Sequence, residues 1–271
     1  MPIPVIITLF TFATLLVALY LYAQYWKKKA SVAFMLYGRS AQQREERKWA
    51  AHHAFMAGHQ DASRLYALAC PEKFDKERPL KPFYRKKIKC IFIDYYYPQR
   101  CHDWIAEEQW QFAQTVYLFK EGKDDCCSYL TRAFKKLETT SEVTIMFMPC
   151  STFQRYYTRF SSLSQSFAQL QGVCSGFDYV IYTGERESKH TTLQRDQIDE
   201  SSNYLLNESV KGKKVVIVDD LLTTGSSLHS YTQKLKASGA EVIGAIFLAK
   251  TFLLPSDTKV RWTIWKHYFL S

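Results

Sequence analysis

Residues 215–228 constrain the fold of this chain more than any other stretch of the sequence. Four consecutive β-branched residues at 215–218 are followed directly by two aspartates, Asp219 and Asp220. A continuous run of this kind is typical of a strand that is covered on both faces, as in a parallel sheet. Two serines that can cap a helix come next, and apolar residues then recur at helical spacing. The pattern predicts a strand, a loop and a helix in that order.

The elements that follow complete a βαβ unit. Gly239 can end the helix, and the apolar residues 241–251 supply the next strand. Free backbone N–H groups and the helix dipole at the start of the helix favour an anion such as phosphate. The two carboxylates at the end of the strand are placed to accept hydrogen bonds from sugar hydroxyls. The unit therefore predicts a site for a phosphorylated sugar with a free diol.

This stretch resembles the loop of the type I phosphoribosyltransferases that binds 5-phosphoribosyl 1-pyrophosphate (PRPP). The resemblance implies that Asp219 and Asp220 hold the ribose 2′- and 3′-hydroxyls and that the loop after them wraps the 5′-phosphate. The implied phosphate contacts are Thr223, Thr224, Gly225, Ser226 and Ser227. The chain has neither the Gly-Lys-Ser of a P-loop nor the G-x-S-x-G of a hydrolase elbow. The alternative to a binding site is an acidic strand end that is simply followed by a capped helix.

A second polar loop follows the apolar strand predicted at 143–148. The same family places a diphosphate-binding loop after such a strand, and a leaving diphosphate needs donors or magnesium to balance its charge. The candidate residues are Ser151, Thr152, Arg155 and Arg159. The alternative is that the two arginines are ordinary surface charges on a helix.

A third polar segment, residues 183–195, follows a strand predicted at 177–182. In this family a flexible lid lies there, closes over the diphosphate and excludes water. The candidate lid residues are Arg186, Lys189 and His190, the histidine as a diphosphate contact or a solvated side chain rather than a general base. The resemblance also implies magnesium, bound together with PRPP rather than in an all-protein site.

Over residues 90–251, the order of elements is similar to that of the ComF-type competence-associated phosphoribosyltransferase-like proteins. Two departures matter. The four-cysteine zinc site of those relatives is absent, and the seven cysteines form no C-x-x-C pair, so we expect no metal site there. The Arg-Gly-Phe-Asn-Gln pattern of the relatives is only partly matched at residues 159–163, which leaves open the molecule that would accept the phosphoribosyl group. Cys174 lies between Gly172 and Gly176, and we interpret residues 172–176 as a loop.

The N-terminal segment predicts a membrane anchor. No charged residue lies between Ile3 and Trp26, a length that can cross a ~30 Å hydrocarbon core as a helix. Aromatic residues gather at its far end, and three lysines follow at 27–29. The positive-inside rule then places the folded part on the cytoplasmic side of a single-pass protein. A cleaved signal peptide is the weaker alternative, because no cleavage site follows.

The predicted organisation has three parts: an anchor with its basic flank at 1–29, a helical juxtamembrane segment and linker at 30–82, and a phosphoribosyltransferase-like domain at 83–271. We expect an α/β fold with a mainly parallel sheet flanked by helices, preceded by the transmembrane helix and the short helical segment. The ligand should lie at the carboxyl ends of the strands. The aromatic residues at 260–269 are expected to add a last strand.

The net charge of +10 has three possible explanations. Basic residues at 27–48 and 85–89 could contact anionic lipid, or they could be solvated. They could also face nucleic acid, although the sequence contains no nucleic-acid-binding motif. The leading hypothesis is a membrane-anchored enzyme that transfers a phosphoribosyl group to an unidentified nitrogen acceptor. The alternatives are a non-catalytic module that binds PRPP or a nucleotide, and a membrane-tethered component of DNA uptake or transfer. The sequence does not predict an oligomeric state.

Overall fold

The computed structural model describes residues 3–139, 142–184 and 203–270. The chain divides into two compact units. The first contains Met1–Phe74, Gln99–Glu108 and Leu253–Ser271, and the second contains Asp75–Pro98 and Gln109–Phe252. The first unit thus includes the C-terminal segment, which we expected within the domain at 83–271.

The described residues begin with three helices, and strands and helices are mixed through the rest. The helices are α1 (Ile3–Ser40), α2 (Arg44–Met56), α3 (Ala62–Ala69), α4 (Glu107–Lys120), α5 (Cys127–Leu137), α6 (Phe153–Ala168), α7 (Ser226–Ala237) and α8 (Asp257–Leu270). The strands are β1 (Phe83–Arg85), β2 (Ile88–Tyr96), β3 (Val143–Phe147), β4 (Val173–Ser175), β5 (Val180–Tyr182), β6 (Tyr204–Leu206), β7 (Lys214–Leu222) and β8 (Glu241–Thr251).

A six-stranded sheet forms the centre of the second unit, in the order β1-β2-β8-β7-β3-β4. Only β1 is antiparallel to its neighbour, and the other five strands run parallel. Every residue of β3 is buried, as expected of a strand that is covered on both faces. Strands β5 and β6 form a separate antiparallel ribbon. The predicted α/β fold with a mainly parallel sheet is confirmed.

The sheet reverses its winding direction between β3 and β7. From β3 the chain passes through α6 to β4, whereas from β7 it passes through α7 to β8 on the other side. The two carboxyl ends lie side by side, and the Met148 N–H donates to the Val218 carbonyl at 2.9 Å. In open α/β sheets such a switch point is where ligands bind.

The first unit contains α1 to α3 and α8. Its core combines residues of these helices, among them Met35, Leu65, Tyr66, Val260 and Ile264. The strand that we predicted at 260–269 is wrong, because these residues belong to α8. The physical reason is the four-residue spacing of the two buried side chains in α8, which places both on one helical face, whereas the prediction rested on the aromatic residues of this stretch, which are also common in strands.

Three boundaries in the second unit also differ from the sequence prediction. Strand β7 does not stop at the acid pair but continues to Leu222, which is paired with Lys250 of β8. Residues 172–176, interpreted as a loop, contain β4, because this short segment pairs with β3 at the sheet edge. Of the strand predicted at 177–182, Phe177–Tyr179 form a 3₁₀ turn and only β5 is extended.

The residues between Ile3 and Trp26 lie in the first part of α1. Within the part of the chain that the structure describes, no helix is both long enough and apolar enough to cross a membrane. The predicted transmembrane anchor is therefore not supported by the described residues; the side chains of residues 3–7 and 9 lie outside them.

Candidate functional site at the switch point

The acid pair lies near the end of β7, and both side chains are buried. The Asp220 N–H donates to Asp219 Oδ1 at 2.8 Å. The Asp220 carboxylate faces two cations: its Oδ2 lies 3.5 Å from Lys120 Nζ and 3.5 Å from Arg159 Nη1. Lys120 ends α4 and Arg159 lies in α6, so three separate elements meet at this carboxylate.

The two acids have opposite protonation tendencies. Burial raises the pKa of Asp219 well above its ordinary value, and the adjacent charge of Asp220 raises this pKa further. Burial also acts to raise the pKa of Asp220, but the positive charges of Arg159 and Lys120 outweigh it and hold that pKa below its ordinary value. Asp220 is therefore the ionised member of the pair, and Asp219 holds a proton more readily.

The phosphate loop turns sharply between β7 and α7. Gly225 has a φ of 81°, a conformation that glycine adopts without strain, and it occupies the N-cap position of α7. Our prediction that Ser226 and Ser227 are the caps is wrong, because the chain is already helical at Ser226. Thr224 Oγ1 instead accepts from the Ser226 N–H at 3.4 Å. The first-turn N–H groups of α7 still form the kind of site that binds anions.

Arg85 of β1 lies against this loop, and sequence reasoning missed it. A side-chain Cβ at Gly225 would come within 3.0 Å of Arg85 Cγ. Arg85 donates from Nη2 to Glu77 Oε2 at 2.8 Å, and Lys250 Nζ lies 2.9 Å from the same oxygen. Lys250 also pairs with Asp75. Two cations and two carboxylates thus form a charge-balanced network beside the phosphate loop. The block at 85–89 gave no hint of this, because a run of basic residues usually indicates a solvated face.

The second loop, after β3, brings together three of its four predicted residues. Thr152 caps α6 by accepting from the Arg155 N–H at 3.2 Å, and Arg155 Nη1 donates to Ser151 Oγ at 3.2 Å. Arg159, one turn further along α6, instead reaches Asp220. The predicted role of these residues in diphosphate binding stays a prediction.

The ribbon of β5 and β6 supports the second loop from the side, and neither residue responsible was predicted. The Tyr182 hydroxyl accepts from the Cys150 N–H at 2.7 Å. Asn203 Nδ2 donates to the carbonyls of Cys150 and Ser151 at 3.1 and 3.0 Å. Asn203 follows the polar segment by sequence, and no local pattern links it to a loop so far back along the chain.

The predicted lid residues Arg186, Lys189 and His190 lie outside the described residues. Across ranges 3–139, 142–184 and 203–270, no group of three or more histidine, cysteine or acidic side chains is placed to hold a metal. The carboxylates of Asp219 and Asp220 are oxygen donors of the kind that magnesium prefers.

The mainly parallel sheet, with the acid pair and the two loops at its switch point, is the arrangement that the sequence resemblance implies. Residues 157–269 match the family model of the phosphoribosyl transferase domain. The resemblance predicted from the sequence is confirmed for this part of the chain. A closer kinship with the ComF-type proteins stays a prediction.

Three curated relatives illustrate the similarity. The adenine phosphoribosyltransferase of Dichelobacter nodosus is 40% identical over 50 residues, 18% of this chain and 29% of the relative. The orotate phosphoribosyltransferase of Staphylococcus saprophyticus is 36% identical over 99 residues, 36% of this chain and 49% of the relative. That of Pyrobaculum aerophilum is 32% identical, over 34% of this chain and 49% of the relative. The chain thus spans less than half the length of these relatives.

Proposed function

We propose that this chain binds PRPP and transfers its phosphoribosyl group to a nitrogen acceptor. The observation that carries the proposal is the acid pair Asp219-Asp220, which lies at the carboxyl end of β7 directly before the phosphate loop. The second loop lies at the carboxyl end of β3, the adjacent strand. A ribose with phosphate groups at both ends matches two anion-type loops with carboxylates between them.

The first loop would hold the 5′-phosphate and the acid pair the ribose diol. Main-chain N–H groups at the start of α7 and the hydroxyls of Thr223, Thr224 and Ser226 supply donors for the phosphate. The ionised Asp220 is the stronger acceptor for a sugar hydroxyl. The ribose must share this carboxylate with Arg159 and Lys120, whose cations approach the same oxygen.

The second loop would hold the diphosphate that leaves. In the transfer, the lone pair of the acceptor nitrogen forms a bond to C1 of the ribose, and the C1–O bond breaks with its electrons passing to the diphosphate. Positive charge grows on the ribose as negative charge grows on the leaving group, so donors at the second loop favour the transition state. Magnesium bound with PRPP would neutralise part of the phosphate charge.

The acceptor remains open. The relatives are named for adenine and for orotate, so their names do not point to a single acceptor. The residues 159–163, which depart from the ComF-type pattern, lie in α6 and include the Asp220 partner Arg159. An acceptor of a different kind from those of the named relatives is compatible with this departure.

A module that binds PRPP or a nucleotide without turnover is the alternative. It is favoured by the pairing of Asp220 with two cations, which satisfies the carboxylate before any sugar arrives. Binding and turnover are separable: titration calorimetry with PRPP and magnesium measures the first, and release of diphosphate in the presence of nucleobases, ammonia and amines measures the second. Binding with no release across all acceptors would favour the module.

The acid pair supplies the test of the binding site. Asp219→Asn combined with Asp220→Asn should abolish PRPP binding in calorimetry. Asp103→Asn, at an exposed aspartate whose side chain is 70% accessible, is the matched control and should bind as the unaltered chain does. Unchanged PRPP affinity in the double variant would overturn the assignment of the site.

We also propose that the first part of α1 holds the chain at a membrane with the folded part on the cytoplasmic side. Large apolar side chains such as Phe10, Leu16, Tyr22 and Trp26 are more than half exposed, a costly arrangement in water. Flotation with phosphatidylcholine vesicles should carry the full chain and not a chain that begins at residue 30. Equal flotation of both would contradict the proposal.

A further inference from the structure

We propose that Asn203, together with Tyr182, positions the second loop for diphosphate by fixing the peptide planes at residues 150–152. The inference rests on the proposed function, because it concerns the loop that would hold the leaving group. It adds two positioning residues that lie on neither of the anion-type loops.

The Asn203 side-chain amide can contact the loop in only one orientation. Both of its partners are carbonyl oxygens, which only accept hydrogen bonds, so the NH₂ group must face them. Asn203 is 2% exposed, and its Oδ1 has no hydrogen-bond partner among the described residues. The amide therefore donates two hydrogen bonds to the loop, while its oxygen accepts none from the described residues. Packing must maintain this arrangement.

The direction of these carbonyls determines the direction of the neighbouring N–H groups. In a trans peptide, the C=O of one residue and the N–H of the next point in opposite directions. With the carbonyls of Cys150 and Ser151 turned to Asn203, the N–H groups of Ser151 and Thr152 point to the other side of the loop. Neither N–H makes a backbone hydrogen bond within the described ranges. Two adjacent N–H groups of this kind beside the start of α6 are suited to phosphate oxygens.

Tyr182 and the ribbon keep this arrangement in place. The Tyr182 hydroxyl accepts from the Cys150 N–H and donates to the Cys150 carbonyl at 3.3 Å. The Thr183 N–H donates to the Asn203 carbonyl at 3.0 Å, which joins the two strands of the ribbon beyond β5. Lys234 of α7 donates to the Tyr204 carbonyl at 2.6 Å. The ribbon therefore connects the second loop with the helix that follows the phosphate loop.

Asn203→Asp gives the sharpest test, because it keeps the shape of the side chain and replaces the NH₂ group, which supplies both donors, with an oxygen that repels the carbonyls. The full chain is titrated separately with inorganic diphosphate plus magnesium and with ribose 5-phosphate. We expect at least a tenfold loss of diphosphate affinity and less than a twofold change for ribose 5-phosphate. Tyr182→Phe should lose diphosphate affinity in the same direction but less.

Asn207→Asp is the matched control, since Asn207 follows β6 and its side chain accepts from the Ser209 N–H rather than contacting the loop. It should leave both affinities unchanged. If Asn203→Asp weakens both ligands equally, or binds diphosphate as the unaltered chain does, the positioning role is wrong while the proposed function stands. If the unaltered chain binds neither diphosphate nor PRPP, the proposed function fails and this inference fails with it.

Discussion

Arg159 Nη1 lies 3.5 Å from Asp220 Oδ2, and this contact joins the helix that follows β3 to the end of β7. Both groups are largely buried, with side-chain exposures of 16% and 9%. An ion pair in this position assigns negative charge to Asp220 and leaves Asp219 as the acid that resists ionisation. The two aspartates are adjacent in sequence but differ in chemistry.

The first prediction concerns the stability that Asp220 provides. Asp220→Asn leaves Arg159 buried without its counter-charge, so the free energy of unfolding should fall by about 3 kcal/mol. Urea denaturation at neutral pH measures the change. Asp220→Asn combined with Arg159→Met should recover part of the loss, because the more deeply buried of the two cations that faced Asp220 is then also removed. A double variant less stable than the single one would contradict this explanation.

The second prediction is a pH dependence at Asp219. Because the pKa of Asp219 is raised in the folded state, the fold favours its protonated form, and this contribution to stability is full below the ordinary carboxyl pKa and is lost as pH rises through the folded value. Asp219→Asn cannot ionise and keeps the acceptor for the Asp220 N–H. The variant should equal the unaltered chain in stability near pH 3 and exceed it at pH 8. A stability difference that is the same at both pH values would be inconsistent with this assignment.

The third prediction separates two costs at Gly225. Gly225→Ala forces a residue with a side chain to adopt a positive φ, which costs about 1–2 kcal/mol, and also displaces Arg85. Gly172 has a similar φ of 72°, but a Cβ at this position would meet no described atom within 4 Å, so Gly172→Ala carries the backbone cost alone. We expect a larger loss of stability, and a loss of ribose 5-phosphate affinity, only in Gly225→Ala. Equal effects of the two substitutions would show that displacement of Arg85 does not contribute to the loss.

The fourth prediction concerns the turn between β1 and β2. Lys86 and Lys87 both have positive φ, at 51° and 67°, in a two-residue hairpin loop that usually contains asparagine and glycine. Replacing the pair by Asn-Gly should relieve the strain and raise the free energy of unfolding by about 1 kcal/mol. Thermal unfolding of the double variant tests this. Lys123→Asn, at an exposed lysine elsewhere, controls for the lost charge.

The sequence predicted the βαβ unit that carries the acid pair, because local pattern determines this unit. The β-branched run, the acid pair and the glycine-containing loop lie within one βαβ unit, so their neighbours in space are also neighbours in sequence. Lys120, Arg85 and Asn203 could not be predicted, because each reaches the site through tertiary packing from a distant element. The helix cap was misassigned for a related reason: serines favour the N-cap, but the positive φ required at this turn selects Gly225.

The hydrogen bond from Met148 to Val218 links the end of β3 to β7, and β7 continues to Leu222 before the phosphate loop begins. The lateral offset between the strands that carry the two loops is about 4.8 Å and is set by the sheet rather than by any side chain within the loops. Side chains in either loop can be exchanged without changing this offset. A sheet of this kind can keep binding the same sugar phosphate while the side chains that select the acceptor change.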